Sequence, residues 1–421
     1  MWKYQCGRHL LSLLIGGVVG MLLFGSSINE ETISWSVEVL NWLPEATVRS
    51  ALSMSWLLGA LIGASALNGV LLLIYLVQKF NISPMVLFLL FFLAPSFALI
   101  LAVGALLLIP TIIVCIYGMI ASRNAAAKNF RSLPNGNGNE VERVYRLHHA
   151  FKEDVSALAL KCRKESDRWT AIYVLVLIAL VCLTLIIQNL MVMFIVFLVY
   201  AVLLTYLFRL RAQSLLPINA LLFEQCDPIA CASAILIFSR RGNRLNLKMN
   251  MLFAQCMLYL DDPQLAMDSL VLMRRGNSAA ELNYQSLMAE ANYRLGDQSA
   301  LERNLEAVKS TKVNIGAAGN LMMQDTIAAI QNKIDLMNQH FDQCEAYYRK
   351  VLPQMKLRFQ LVDAHYYLGM ITFVRRDFDE AGEHFNYVVT NGNTMSYRER
   401  AQRYLDMIQR HIAVSYTHLT L

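Results

Sequence analysis

Residues Trp169 to Arg211 read WTAIYVLVLIALVCLTLIIQNLMVMFIVFLVYAVLLTYLFRLR, with no charge before Arg209 and one polar pair, Gln188 and Asn189, near the middle. A single membrane-crossing helix needs about 20 apolar residues, so the stretch accommodates two antiparallel spans joined by a tight turn at Gln188-Asn189. Two crossings return the chain to the side it left. The basic segment before the stretch and the long segment after it are therefore expected on one face of a membrane.

Composition supports that expectation. Of 421 residues, 56% are apolar and only 16% charged, against about 25% charged in ordinary soluble domains. The net charge of +6 does not point to nucleic acid, because from Ala212 onward 21 Lys and Arg face 21 Asp and Glu. The excess sits near the apolar segments, where it sets orientation. Eight cysteines (Cys6, Cys115, Cys162, Cys182, Cys226, Cys231, Cys256, Cys344) form no Cys-x-x-Cys pair and have no His at ligand spacing. They read as buried, reduced thiols that suit a cytosolic array, and no metal or other cofactor is expected.

Upstream, Leu10–Phe24 reads as a first span behind Lys3 and Arg8, without a cleavage site for a signal peptide. Ser12, Gly16 and Gly20 share a helical face, as do Ser55, Gly59 and Gly63 in the second span, Met54–Gln78. Such small faces let two backbones approach closely. The loop between them, Ser26–Ser53, carries Glu30, Glu31, Glu38 and Glu45 against Arg49, with Trp35 and Trp42 suited to a membrane boundary. Met85–Ile120 is uncharged and broken by Pro95 and Pro110. Read as two short spans, it leaves the following loop, Ala121–Arg168, inside. That loop carries Arg123, Lys128, Arg131 and the cluster Lys161, Arg163, Lys164 and Arg168, so the positive-inside rule favours this count.

The expected architecture is all-α: a polytopic helical membrane domain of six spans followed by a helical solenoid, with the N-terminus and the solenoid cytoplasmic at the cell membrane. Residues 1–120 hold four spans, 121–168 a basic linker with an amphipathic helix, 169–210 the transmembrane hairpin and 211–412 the repeats. Val414–Leu421 resembles a translated sequencing adapter, so 413–421 is expected to be a non-native tail. Within the linker, SLPNGNGN (Ser132–Asn139) reads as a flexible connection. Val141, Val144, His148, Phe151, Val155, Leu158 and Cys162 form one apolar stripe at helical spacing. His149 and Glu153 lie one turn apart on that helix, which suits a solvated pair better than a metal site.

After Arg211 the chain repeats itself. Asp227, Asp262 and Asp297 recur every 35 residues at the start of similar turns, and further turns fall at His340-Phe341-Asp342 and Arg376-Asp377-Phe378-Asp379. A period in the mid-thirties with two helices per unit indicates a helical solenoid. Lys312–Asn320 (KVNIGAAGN) reads as a loop insertion before the fourth turn.

The last copy, VDAHYYLGMITFVRRDFDEAGEHFNYVV, resembles the tetratricopeptide repeat family. Leu368-Gly369 matches its Leu-Gly pair, Asp377-Phe378-Asp379-Glu380-Ala381 its turn and small residue, and Phe385 its second-helix aromatic. His365 replaces its tryptophan, Val388 its last alanine, and the closing proline is absent. The fourth copy keeps Phe341, Cys344, Tyr348 and Val351. The first three keep mainly Ala254, Ala289, Ala266, Leu270, Leu305 and the turn Asp. The resemblance covers about half the chain and implies a concave face that binds a protein or peptide. By that analogy the face is lined by Lys248, Met251, Gln255 and Tyr259, then Asn283, Ser286, Glu290, Tyr293 and Arg294, then Lys333 and Met337, then Asp363, Tyr366, Met370 and Phe373.

The expected function is accordingly that of a membrane-anchored scaffold with a protein or peptide partner, in contact with the lipid bilayer and not with nucleic acid. An accessory subunit of a transporter or channel is the alternative. It has against it that the expected spans lack Asp, Glu, Lys, Arg and His, leaving Asn68, Thr184, Gln188 and Asn189 as the main polar positions. Enzyme chemistry is not expected: Gly63-Ala64-Ser65 offers a serine but no span offers its base.

Overall fold

The computed structural model describes residues 2–24, 34, 38, 44–46, 55–80, 94–129, 138–186, 190–273, 278–311 and 316–419. These are almost entirely helical, in agreement with the all-α expectation, and they divide into two compact units.

The first unit contains α1 (Trp2–Phe24), α2 (Ser55–Phe80), α3 (Ala94–Leu106) and α4 (Leu108–Asn129). α1 and α2 cross on the two small faces read from the sequence: a Cβ on Gly16 would sit 2.8 Å from the Gly63 carbonyl oxygen, and one on Gly20 would collide with the Gly59 carbonyl. A second crossing joins α2 to α3, where Gly104 lies against Ser65 and Gly69. Ser65 is buried there and serves helix packing. α1 begins at Trp2, earlier than the expected span, and so carries His9 into the bundle. His9 Nε2 lies 3.0 Å from Asn68 Oδ1, and Asn68 Nδ2 donates to the Gly104 carbonyl at 2.8 Å. The expected span boundary at Leu10 had left this buried histidine out.

Pro95 and Pro110 fall in the first turns of α3 and α4, where a missing N–H costs nothing. Thus they start helices rather than break spans; the break lies at Leu107, with Ile100–Leu106 and Leu108–Ile120 inclined at 59°. Among the described residues, only Trp56–Leu73 is a single helix long and apolar enough to cross a membrane, and the bent pair passes only when taken as one broken span. A count of six spans is therefore not carried by the described residues. Residues 85–93, the Trp35 and Trp42 segment and the Gln188-Asn189 turn lie outside them, as do most side chains of residues 181–201.

The second unit begins with α5 (Gly138–His148), α6 (Ser156–Ile186) and α7 (Leu190–Gln213). The linker stripe does not form one helix, contrary to its periodicity, because residues 149–155 turn away to bond the array. The Lys152 N–H donates to Ser233 Oγ at 3.0 Å, its Nζ pairs with Asp227, and the Tyr145 hydroxyl bonds the Ala150 and Ile229 carbonyls. Tyr145 is wholly buried, its ring 5.9 Å from that of Phe253. Asn139, expected in a flexible connection, accepts from the Leu245 N–H and donates to the Asn243 carbonyl.

Five helix hairpins follow: α8 (Leu216–Phe223) with α9 (Pro228–Ser239), α10 (Asn250–Tyr259) with α11 (Pro263–Val271), α12 (Ser278–Arg294) with α13 (Gln298–Ser310), α14 (Gly316–Met337) with α15 (Phe341–Val351), and α16 (Arg358–Val374) with α17 (Phe378–Asn391). A last helix, α18 (Ser396–Leu419), completes the series. A two-stranded hairpin, β1 (Arg240–Arg241) and β2 (Arg244–Leu245), interrupts the helices after α9. The expected loop at Lys312–Asn320 is helical from Gly316 on.

The turns of these hairpins are alike in detail. Cys226, Asp261, Gly296, Gln339 and Arg376, each one residue before the second helix's cap, have positive φ. In the last four turns the next N–H returns to the carbonyl five residues back, as in Asp262 to Met257 at 2.9 Å and Asp377 to Thr372 at 3.0 Å. Asp227, Asp262, Asp297 and Asp377 then cap the second helix, their carboxylates accepting from Ala230, Leu265, Ala300 and Glu380. A side-chain acceptor there satisfies an N–H the helix cannot, which is why aspartate recurs. His340 occupies the fourth cap without a side-chain bond. The repeat-pattern positions Ala254, Ala266, Leu270, Ala289, Leu305, Cys344, Tyr348, Ala381, Phe385 and Val388 are all buried. A Cβ on Gly369 would stand 2.9 Å from the Phe385 ring, so the close contact at that Leu-Gly pair is real.

One feature of this unit departs from an open groove: the first hairpins meet the last helices. Phe223 stacks on Phe359 at 5.0 Å, Asn393 Nδ2 donates to the Gln225 carbonyl, the Thr394 hydroxyl donates to Asp227 at 2.7 Å, and Arg400 pairs with Asp261.

Candidate functional site

Because the two ends of the array meet, its first helices face inward around a cavity of about 190 Å³, which lies among α10, α12, α14, α15 and α16. Of the residues expected on a concave face, Gln255, Tyr259, Ser286, Glu290, Arg294, Lys333 and Asp363 line it. At its centre Glu290 joins two cations, with Lys333 Nζ 3.0 Å from Oε2 and Arg294 Nε 2.9 Å from Oε1. Arg294 Nη2 donates to the Tyr397 hydroxyl, which donates in turn to Asp363 Oδ1 at 3.0 Å. With that proton committed, the Tyr367 hydroxyl, 3.4 Å away, is the donor to Tyr397.

Aromatic faces wrap the cations. Lys333 Nζ stands 3.8 Å from the centre of the Tyr367 ring and 5.1 Å from that of Tyr293, and the Arg294 guanidinium 5.2 Å from Tyr397. Quadrupole attraction of this kind strengthens as water is excluded, and the side chains of Arg294 and Lys333 are only 6% and 12% exposed.

The two carboxyls differ in consequence. Burial disfavours the charge on Glu290, yet Lys333 and Arg294 outweigh it and hold the group down at about 2. Asp363 is pushed up instead, by burial first and by the Glu290 charge, with Lys333 and Arg294 acting against both. The site therefore pairs two fixed cations with one firmly ionised acid and one that holds its proton more readily.

Asn332 lines the same cavity, is 3% exposed, and its side-chain amide has no hydrogen-bond partner among the described residues. A buried polar group without a partner costs about 1–3 kcal/mol. The amide nitrogen and oxygen are themselves covered, so they lie within the cavity wall, beside the Glu290–Arg294–Lys333 cluster.

The remaining expected residues are placed elsewhere. Lys248, Met251 and Asn283 are exposed and do not line the cavity. Met337 and Met370 are half-buried away from it. Tyr293 belongs to the cluster through its ring. Tyr366, 4% exposed, stacks on Tyr397 at 4.2 Å, and Phe373 packs against Phe378, Phe385 and Tyr404. Tyr366 is a core residue and Phe373 is half-buried; the helix that follows the last hairpin, with Tyr397 and Tyr404, covers the rings expected on an open face. Sequence reasoning missed Asn332, Tyr348, Tyr367 and Tyr397. Tyr397 lies beyond the last repeat, where the repeat pattern gives no signal. Tyr348 was read as a hairpin aromatic and also reaches the cavity.

A second cluster lies where the linker meets the array. His149 does not pair with Glu153 on a helix, since α5 ends at His148; both histidines turn to Asp262. The seven cysteines whose side chains are described are buried and free of disulfides.

Comparison with protein-family models, with curated proteins and with solved structures finds no match.

Proposed function

We propose that the protein is a membrane-anchored scaffold whose tetratricopeptide-like array binds a protein or peptide partner by admitting a short polar tip of it to the central cavity. Six spans with both the N-terminus and the array cytoplasmic remain the topology that the basic linker favours, and the cell membrane the favoured location. The reading requires neither a cofactor nor catalysis. The observation that carries it is the cavity itself, walled by Glu290, Arg294, Lys333 and Asp363 on the inward face of the array, with the buried Asn332 beside them.

A photo-crosslinking residue at Gln255, on the cavity wall, tests it in the full-length chain in its membrane. A defined crosslinked partner is expected, lost when Ser286→Phe fills the cavity and kept when the crosslinker-bearing chain carries Asn283→Ala instead. Crosslinking that is indifferent to Ser286→Phe refutes the reading.

The alternative, an accessory subunit of a transporter or channel, draws support from the buried His9–Asn68–Gly104 chain in the first unit, since an ionisable group within a helix bundle of this apolarity is commonly functional. Flux through vesicles that depends on His9 and not on Ser286 would favour it.

A further inference from the structure

His148 closes α5, His149 follows it, and Asp262 stands directly before α11. His148 Nδ1 lies 2.7 Å and His149 Nε2 3.2 Å from the same oxygen, Asp262 Oδ2, and the three atoms lie within 4.8 Å of one another. Tetrahedral bonds of about 2.0–2.1 Å to nitrogen and oxygen place neighbouring ligand atoms roughly 3.3 Å apart, so the His149–Asp262 separation already suits a single ion and the half-exposed His148 would have to draw back by about 0.6 Å.

The surroundings fit as well. Asp262 Oδ1 accepts from the Leu265 N–H at 3.1 Å, which fixes the carboxylate and aims Oδ2 outward. The ring of Tyr145, itself buried, lies 5.4 Å from that of His149 and limits its rotation. Orientation of ligands by a second layer of contacts is what distinguishes a built site from a chance cluster. The side chains of Asp262 and His149 are 11% and 14% exposed and that of His148 is 52% exposed, which leaves one open side for entry and for water as a fourth ligand.

We propose that His148, His149 and Asp262 bind a divalent transition-metal ion of the zinc type. Two imidazoles and one carboxylate form a borderline-soft set that favours such an ion over magnesium or calcium. Its ligands come from positions 113 residues apart, so the ion clasps the linker to the second hairpin. Its test is independent of whatever enters the central cavity.

The full-length chain in detergent, stripped with chelator, is titrated with Zn2+ and separately with Co2+. One ion per chain is expected, and cobalt should give the visible absorption of four nitrogen and oxygen ligands without the near-ultraviolet band of a thiolate. His149→Ala and Asp262→Asn should each weaken zinc at least 100-fold, His148→Ala about 10-fold or more, and Glu153→Gln should change nothing. Asparagine still caps a helix, so Asp262→Asn retains the α11 terminus. In the unaltered chain, zinc should slow amide exchange at residues 148–155 and 262–265, a readout that stands if a variant does not fold. Absence of zinc binding at micromolar concentration, binding unchanged in both His149→Ala and Asp262→Asn, or no slowing at those amides overturns the proposal.

Discussion

Replacing Lys333 with methionine keeps most of the side-chain volume and removes one charge from the centre of the array. Lys333 Nζ is 3.0 Å from Glu290, with the two side chains 12% and 19% exposed. Breaking a buried pair by removing one partner costs about 3–5 kcal/mol, because the other charge is left uncompensated. Here Arg294 still holds Oε1 at 2.9 Å, so the low end applies, about 3 kcal/mol. For an array of about 200 residues each kcal/mol moves the midpoint by roughly 2–4 °C, which gives a fall of about 6–12 °C. Adding Glu290→Gln takes the carboxylate away from Arg294 as well, so the double variant should be no more stable than Lys333→Met, while the Lys333–Glu290 coupling from a double-variant cycle should be at least about 1.5 kcal/mol. Thermal unfolding of the full chain in detergent, followed by circular dichroism, reads all four proteins. A fall below 2 °C for Lys333→Met, or a Lys333–Glu290 coupling below about 0.5 kcal/mol, would refute the claim that this pair is energetically buried.

The acid limb of stability should have two components. Glu290 is held at about 2 against an ordinary 4.5, so it releases its proton more readily folded than unfolded. Its contribution is complete above pH 4.5 and is lost as the pH falls toward 2; Glu290→Gln should flatten that part of a midpoint-against-pH curve. His365 is lowered from 6.5 to about 4, by burial and then by His384, so stability present above pH 6.5 should drain away between 6.5 and 4, and His365→Phe should reduce that slope, leaving the part that His384, also lowered by burial, contributes. Asp377→Ala removes a cap alone and should cost about 1 kcal/mol. Asp227→Ala also removes the contacts to Lys152 and Thr394 and should cost clearly more, as denaturant midpoints will show. Gly20→Leu drives a side chain into the Gly59 backbone and should separate α1 from α2, abolishing a disulfide engineered across that crossing.

What could be read from the sequence was what is local. The turn aspartates announced the hairpins because a cap is chemistry between a side chain and an N–H three residues on, and the small faces of α1 and α2 announced their crossing because shape alone decides it. The break at residues 149–155 was hidden: the apolar stripe continues through it, and what bends the chain there is Asp227, Ser233 and Asp262, far away in sequence. The prolines misled because position within a helix, and not presence, decides their effect. His9 was missed because the apolar run begins one residue later while the helix begins at Trp2. The cavity was half legible. Glu290, Arg294, Lys333 and Asp363 fell on the expected face, but the partners that bury them, Tyr397 above all, come from outside the repeat period.

The bond from Thr394 to Asp227 spans 167 residues, and it fixes an order of events during synthesis. The opening hairpin leaves the ribosome long before the segment that completes it, and long-range pairings of this kind are slow to form. Until Tyr397 and Thr394 emerge, Arg294 and Asp363 lack their shared hydroxyl and stand open to solvent. A premature stop before Tyr397 would therefore release a chain whose Arg294 and Asp363 lack that hydroxyl, a fault that quality control would read as an unfinished molecule.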